Sequence, residues 1–175
     1  MLAILIVEDE PLFAETLKHL VELNPLYRVT ALADDRIGAL AAIARERPDL
    51  ALVDLQLAHG NTGFAVAAKL NDLGIPVLFT TGKAPDFPMP DLALGCLIKP
   101  FSEEDLVRAL KAAEDIIRGR GRIRPSRPGN LRLYAEEAAA AAAEPLGLLP
   151  IPERSNARRG LRARAGRFWR RLSFG

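Results

Sequence analysis

Residues 1–11 read MLAILIVEDEP: an apolar run from Leu2 to Val7 stops on Glu8, Asp9 and Glu10, and a proline follows. A short, continuous apolar run suits a strand buried on both faces, as in a parallel sheet. Pro11 stands where a helix takes its first residue, and Leu12, Phe13, Leu17, Leu20 and Val21 follow at helical spacing. The three acids therefore fall in a tight turn between a buried strand and a helix. Carboxylates crowded together repel one another unless something positive lies among them.

The same alternation continues along the chain. Residues 27–33 predict a second strand, and Ile37, Leu40, Ala41 and Ile43 a second helix that ends before Pro48. Residues 50–54, LALVD, predict a third strand. A loop with Gly60 and Gly63 leads to a helix carrying Phe64, Val66, Ala67 and Leu70, stopped by Gly74. Residues 77–80 predict strand four and 96–99 strand five. The stretch between them, GKAPDFPMPDLALG, holds three prolines and almost no helical periodicity, so a full helix is not expected there. The next element has Ser102 as N-cap, acids at 103–105 in its first turn, and Leu106, Leu110, Ala113 and Ile117 on one face.

This strand-helix alternation predicts an α/β, doubly wound fold with a five-stranded parallel sheet. At 175 residues the chain can bury one sizeable core plus an appendage. Cys96 is the sole cysteine, which excludes an intramolecular disulfide, argues against a cysteine-based zinc site and fits a reducing, cytoplasmic setting. The run at 1–7 lacks a basic flank and is too short for a bilayer span, so the mature chain is expected to begin at Met1.

Net charge is +2 overall, but residues 1–118 carry 11 basic and 18 acidic side chains, net −7, against 13 basic and 4 acidic, net +9, over 119–175. Every base in the second part is arginine. The expected division is a domain over 1–118 and an Arg-rich linker and tail over 119–175. The tail begins GRGRIRPSRPGN, contains the alanine run AEEAAAAAAE, and ends NARRGLRARAGRFWRRLSFG with Leu161, Ala165, Phe168 and Leu172 on one helical face. Its composition reads as mostly disordered with short helices. A solubilising extension, an anionic-membrane contact, a nucleic-acid patch and an arm folded back on the acidic domain all remain open.

A parallel sheet brings the C-terminal ends of its strands to one edge, where ligands bind in such folds. Glu8 and Asp9, Asp54, Thr80 and Thr81, and Lys99 all fall there. Three carboxylates suit a hard cation such as Mg²⁺, and Asp54 could then act as a carboxylate nucleophile toward a phosphoryl donor. Each residue also has a plainer reading: helix-dipole acids at 8–10, a loop-capping Asp54, a solvated Lys99, a core-packing Cys96, and structural or solvated His19 and His59.

ILIVEDEP, LVDLQL, VLFTTG and GCLIKPF, in that order and spacing, resemble the receiver domain of two-component response regulators over roughly residues 1–118. The resemblance implies a flavodoxin-like sheet of order 2-1-3-4-5. It implies Asp54 as phospho-acceptor, Glu8 and Asp9 as partners of Asp54 in binding Mg²⁺, Thr81 as switch hydroxyl and Lys99 as phosphate-binding lysine. It also implies a cis Lys99-Pro100 bond, and a phosphohistidine on a sensor histidine kinase or phosphotransfer protein as donor. The chain departs from the family at Cys96, where an aromatic residue is usual. The shortened, proline-broken stretch 82–98 and the FTTG run resemble a subfamily with the signature Phe-x-Thr-Gly and a short or irregular fourth helix, whose partners tend to be HWE-class kinases. Gln56 and Lys83 lie where the family tunes phosphoryl lifetime.

The function expected is a single-domain response regulator that switches conformation and signals by protein contact. The sequence has no recognisable DNA-reading module. The alternatives are a degenerate receiver working as an unphosphorylated interaction module through its basic tail, and a haloacid-dehalogenase-like phosphatase. The latter places Asp-x-Asp after its first strand, where this chain has Val-Glu-Asp-Glu.

Overall fold

The structure, a computed structural model, describes residues 1–58, 62–120, 129–135 and 137. In chain order the elements are β1 Leu2–Val7, α1 Pro11–Glu22, β2 Tyr27–Ala33, α2 Arg36–Arg45, β3 Leu50–Asp54, α3 Gly63–Asp72, β4 Val77–Thr81, β5 Gly95–Ile98, α4 Glu103–Ile117 and β6 Leu131–Leu133. The expected β1, β2 and β3 have the observed bounds, while β4 runs one residue further and β5 starts and ends one residue earlier. His59, the arginines beyond Leu133 and most of the alanine run lie outside the described residues.

Three of the described helices begin where a side chain satisfies a free backbone N–H group. Asp35 accepts from Gly38 N at 2.6 Å ahead of α2, and Thr62 from Ala65 N at 3.3 Å ahead of α3. Ser102 and Asp105 form a reciprocal capping box on α4, at 3.2 and 3.0 Å. Pro11 opens α1 without a side-chain cap.

The strand order is β2-β1-β3-β4-β5-β6. The first five are parallel, as expected, but the sheet has six strands rather than five, because β6 pairs antiparallel with β5. It comes from a stretch that reads as linker. Three residues between an Arg-, Pro- and Gly-rich segment and an alanine run carry too little periodicity to announce a strand, and their hydrogen-bond partners lie on β5.

Alternate strand residues face opposite ways. Leu5, Val7, Val53 and Phe79 pack against α2 and α3, and Ile4, Ile6, Leu52, Leu78 and Leu97 against α1 and α4. Residues 82–94 form turns and no helix, as the three prolines lead one to expect. That omission leaves the Cys96 end of the first layer short of cover. Tyr134, immediately after β6, supplies it: the ring is buried in the cluster of Phe79, Ala93 and Cys96, against which Ala84 and Met89 also pack. The missing helix and the added strand thus complete one packing arrangement. Among the described residues no helix is long and apolar enough to cross a membrane.

Candidate functional site

The backbone at the end of β3 is placed by close contact with α3. A Cβ on Gly63 would lie 2.0 Å from the Asp54 carbonyl oxygen and 2.6 Å from Leu55 Cα, so glycine alone permits this approach. Gly63 N also donates to Leu55 O at 3.1 Å. Within the turn, Gln56 N donates to Asp54 Oδ1 at 2.8 Å, and Ala58 N to Asp9 Oδ2 at 3.0 Å. The first bond shapes the β3 turn and the second fastens it to the β1 turn, which brings the acids together.

Glu8 is 4% and Asp54 6% exposed. Lys99 Nζ donates to Glu8 Oε2 at 2.9 Å and to Asp54 Oδ2 at 2.7 Å. Carboxylate oxygens of Glu8, Asp9 and Asp54 all lie within 4.8 Å of one another. Burial raises the Glu8 carboxyl above its usual range against the pull of Lys99, and the charge of Asp54 pushes the same way. Burial works against the Lys99 ammonium, but hydrogen bonds and charge from the two carboxylates outweigh it and hold the group above its ordinary value. Three oxygen donors converging on one point, two of them nearly out of water, form a donor set suited to a hard divalent cation.

Lys99 is also aimed by its backbone. Its N–H donates to Thr81 O at 2.7 Å, and the Lys99-Pro100 peptide is cis. Its ammonium sits 4.0 Å from the centroid of the Phe13 ring, which meets Phe101 edge-on at 6.0 Å. Phe13 was legible only as a core residue of α1. The signal that would have found its second role is its place in the first turn of α1, just past the acids.

Strand alternation puts Thr80, the register partner of Asp54, on the α1 and α4 side and Thr81 on the α3 side. Thr81 is fully buried among backbone, donating to Lys83 O at 3.2 Å and accepting from Lys83 N at 3.3 Å. It borders a cleft of about 210 Å³ shared with Gln56, Phe64 and Lys83. The sheet edge therefore collects every residue singled out there, and His19, in α1, is not among them.

A model of the response regulator receiver domain matches residues 4–111. The chain belongs to the response regulator receiver family. It is 34% identical over 117 residues to the sensory transduction protein LytT of Bacillus cereus, covering 63% of this chain and 46% of that protein. It is 36% identical over 138 residues to the positive alginate biosynthesis regulatory protein of Pseudomonas aeruginosa, covering 75% of this chain and 50% of that one. The chain thus spans about half the length of the curated relatives it matches. The receiver domain protein (CheY-like) of Methanospirillum hungatei superposes with a TM-score of 0.61 at 28% identity, covering 69% of this chain and 99% of that structure. Receiver domains accept a phosphoryl group on an aspartate in two-component signalling, from sensor histidine kinases or phosphotransfer proteins.

In this receiver Cys96 is fully buried beside Tyr134, and burial pushes its thiol up to about 11. A thiol so placed has almost no thiolate at neutral pH. The folded protein is expected to resist iodoacetamide at pH 8 and to gain one adduct on denaturation, read by intact mass. Equal alkylation in both states would contradict a packed Cys96.

Proposed function

We propose that this receiver accepts a phosphoryl group on Asp54 from a phosphohistidine, with Mg²⁺ held by Glu8, Asp9 and Asp54. The observation that carries the reading is the bridge of Lys99 between Glu8 and Asp54, 2.9 and 2.7 Å long, beside a third carboxylate. When bound, Mg²⁺ supplies positive charge to the oxygens of the transferring group. A carboxylate oxygen of Asp54 forms the new O–P bond as the N–P bond of the donor breaks, and the departing imidazole takes up a proton. Lys99 follows the charge from the carboxylate to the phosphoryl oxygens, staying protonated throughout. Thr81 exchanges its Lys83 partners for the new dianion, and that exchange shifts a conformational equilibrium.

The donor is a sensor histidine kinase, with the HWE class first in line on the Phe-x-Thr-Gly resemblance, or a phosphotransfer protein. The chain works as a single-domain, cytoplasmic regulator with output by protein contact rather than sequence-specific DNA reading. Its functional unit runs through β6 and Tyr134, not to residue 118, because both complete the core on which β5 and Lys99 rest.

The test is incubation with acetyl phosphate. One hydroxylamine-labile phosphoryl group is expected with Mg²⁺ and none with a chelator, mapped by mass to the peptide carrying Asp54. A label on another residue, or an equal label without Mg²⁺, would overturn the reading. So would no label at all together with no binding of beryllofluoride, and the degenerate interaction module would then take its place.

A further inference from the structure

A segment beyond the receiver match grips the backbone on both sides of Lys99. Asn130 O accepts from Ile98 N at 2.9 Å, and Asn130 Nδ2 donates to Pro100 O at 3.4 Å and to Asp105 Oδ2 at 3.3 Å. One residue therefore holds the Leu97–Ile98 peptide, the Pro100–Phe101 peptide and the capping box of the helix that follows, and so brackets Lys99 one peptide away on each side. Its own Oδ1 is buried with no partner. The approach of β6 is close: a Cβ on Gly95 would lie 2.1 Å from Arg132 O and 3.0 Å from Leu133 Cα. Glycine at the start of β5 is what admits this backbone.

We propose that Asn130 is a positioning residue for Lys99, fixing the Ile98–Pro100 segment so that the ammonium meets Glu8 and Asp54 together. The inference rests on the phosphoryl-acceptor reading for its effect on rate. Its effect on the Lys99 ammonium does not depend on that reading. Asn130 bonds none of Glu8, Asp9 and Asp54 and acts away from the site of the transferring group. It acts through the backbone that carries Lys99, and lies outside the residues, 4–111, over which the family match runs. Displacing a charge-bearing group by about 1 Å can cost on the order of a hundredfold in rate, so a loosened segment has a measurable consequence.

The experiment uses the full chain, wild type against Asn130→Ala and Asn130→Asp. The second variant keeps the size and the backbone grip but turns an amide donor into an acceptor facing Pro100 O and Asp105. Val21→Ala, a core truncation in the last turn of α1, serves as a control for lost stability alone. Two readouts are taken: the rate of phosphoryl gain at saturating acetyl phosphate and Mg²⁺, and the ¹⁵N–¹H signal of the Lys99 ammonium. Both Asn130 variants are expected to lose about tenfold in rate, with Mg²⁺ affinity unchanged and the ammonium signal shifted or exchange-broadened, while Val21→Ala keeps both. Wild-type rates in both Asn130 variants, an equal loss in Val21→Ala, or an unmoved Lys99 signal would each overturn the proposal. A wild type that gains no phosphoryl group would overturn the phosphoryl-acceptor reading instead, and the Lys99 signal would still decide the role of Asn130.

Discussion

Asp54→Asn takes up no phosphoryl group under conditions that fully label the wild type, yet folds with stability equal to or slightly above it. Both halves of this expectation follow from the charges around one carboxylate. The amide keeps the shape of the side chain, and its oxygen can still accept from Gln56 N, now at 2.8 Å, while its –NH2 replaces the oxygen that accepts from Lys99 and turns that ammonium wholly to Glu8. It is no longer a nucleophile and brings no charge to a metal. Removing that charge also relieves Glu8, whose carboxyl is raised by burial first and by Asp54 as well, and leaves Lys99 a complete pair with Glu8. Lys99→Ala is the opposite case, since it leaves two buried carboxylates facing each other without a cation. Breaking a largely buried pair this way costs about 3 kcal/mol. Mg²⁺ is expected to restore much of the loss by binding the folded form alone. Urea unfolding of the three proteins with and without Mg²⁺ checks both statements. An Asp54→Asn protein markedly less stable than wild type, or a Lys99→Ala protein indifferent to Mg²⁺, would show that charge crowding does not govern this edge.

Tyr134→Ala is expected to lower stability by about 3–5 kcal/mol, the usual cost of removing an aromatic ring from a core, and a chain ending at Arg118 to lose at least as much. Tyr134 and Leu133 are each 1% exposed, and Leu131 6%. Without them the β5 edge loses its partners: Ile98 N loses Asn130 O, Leu94 O loses Tyr134 N, and Cys96 opens to water at the place where no helix follows β4. Against a typical domain stability of about 5–15 kcal/mol, that loss decides whether the shorter chain is folded at 37 °C. Denaturant midpoints of the full chain, Tyr134→Ala and residues 1–118 provide the measurement. A 1–118 chain with the midpoint of the full protein would show that β6 is an accessory rather than part of the core.

Much of the site was legible before the fold. Apolar runs ending in Glu8-Asp9, Asp54, Thr81 and Lys99 predict parallel strands whose ends share an edge, and the structure brings these side chains to one edge. Strand alternation sends Thr81 toward α3 and the cleft with Gln56 and Lys83, and Thr80, the register partner of Asp54, to the other face, so Thr81 as switch hydroxyl rests on the family resemblance. The cis Lys99-Pro100 bond expected from the resemblance is present. Two neighbours of the Lys99 segment were not legible. Phe13 reads as one more apolar residue of an amphipathic helix, and only the folded chain shows its ring 4.0 Å from the Lys99 ammonium. Asn130 lies in a segment whose prolines, glycines and arginines describe a linker.

What the sequence determined by itself is whatever depends on local periodicity: the order and bounds of β1, β2 and β3, the Pro11 start of α1 and the Ser102 cap of α4, the absence of a helix in the proline-broken stretch 82–94, and the set of acids that must share an edge with Lys99. What only the tertiary structure decided is pairing between distant segments. β6 is a strand because the free edge of β5 offers it hydrogen bonds and Gly95 lets it approach, and Tyr134 is core because the missing helix leaves a space there. Those causes sit about 35 residues away in the chain, and three residues without a periodic pattern of their own carry no trace of them.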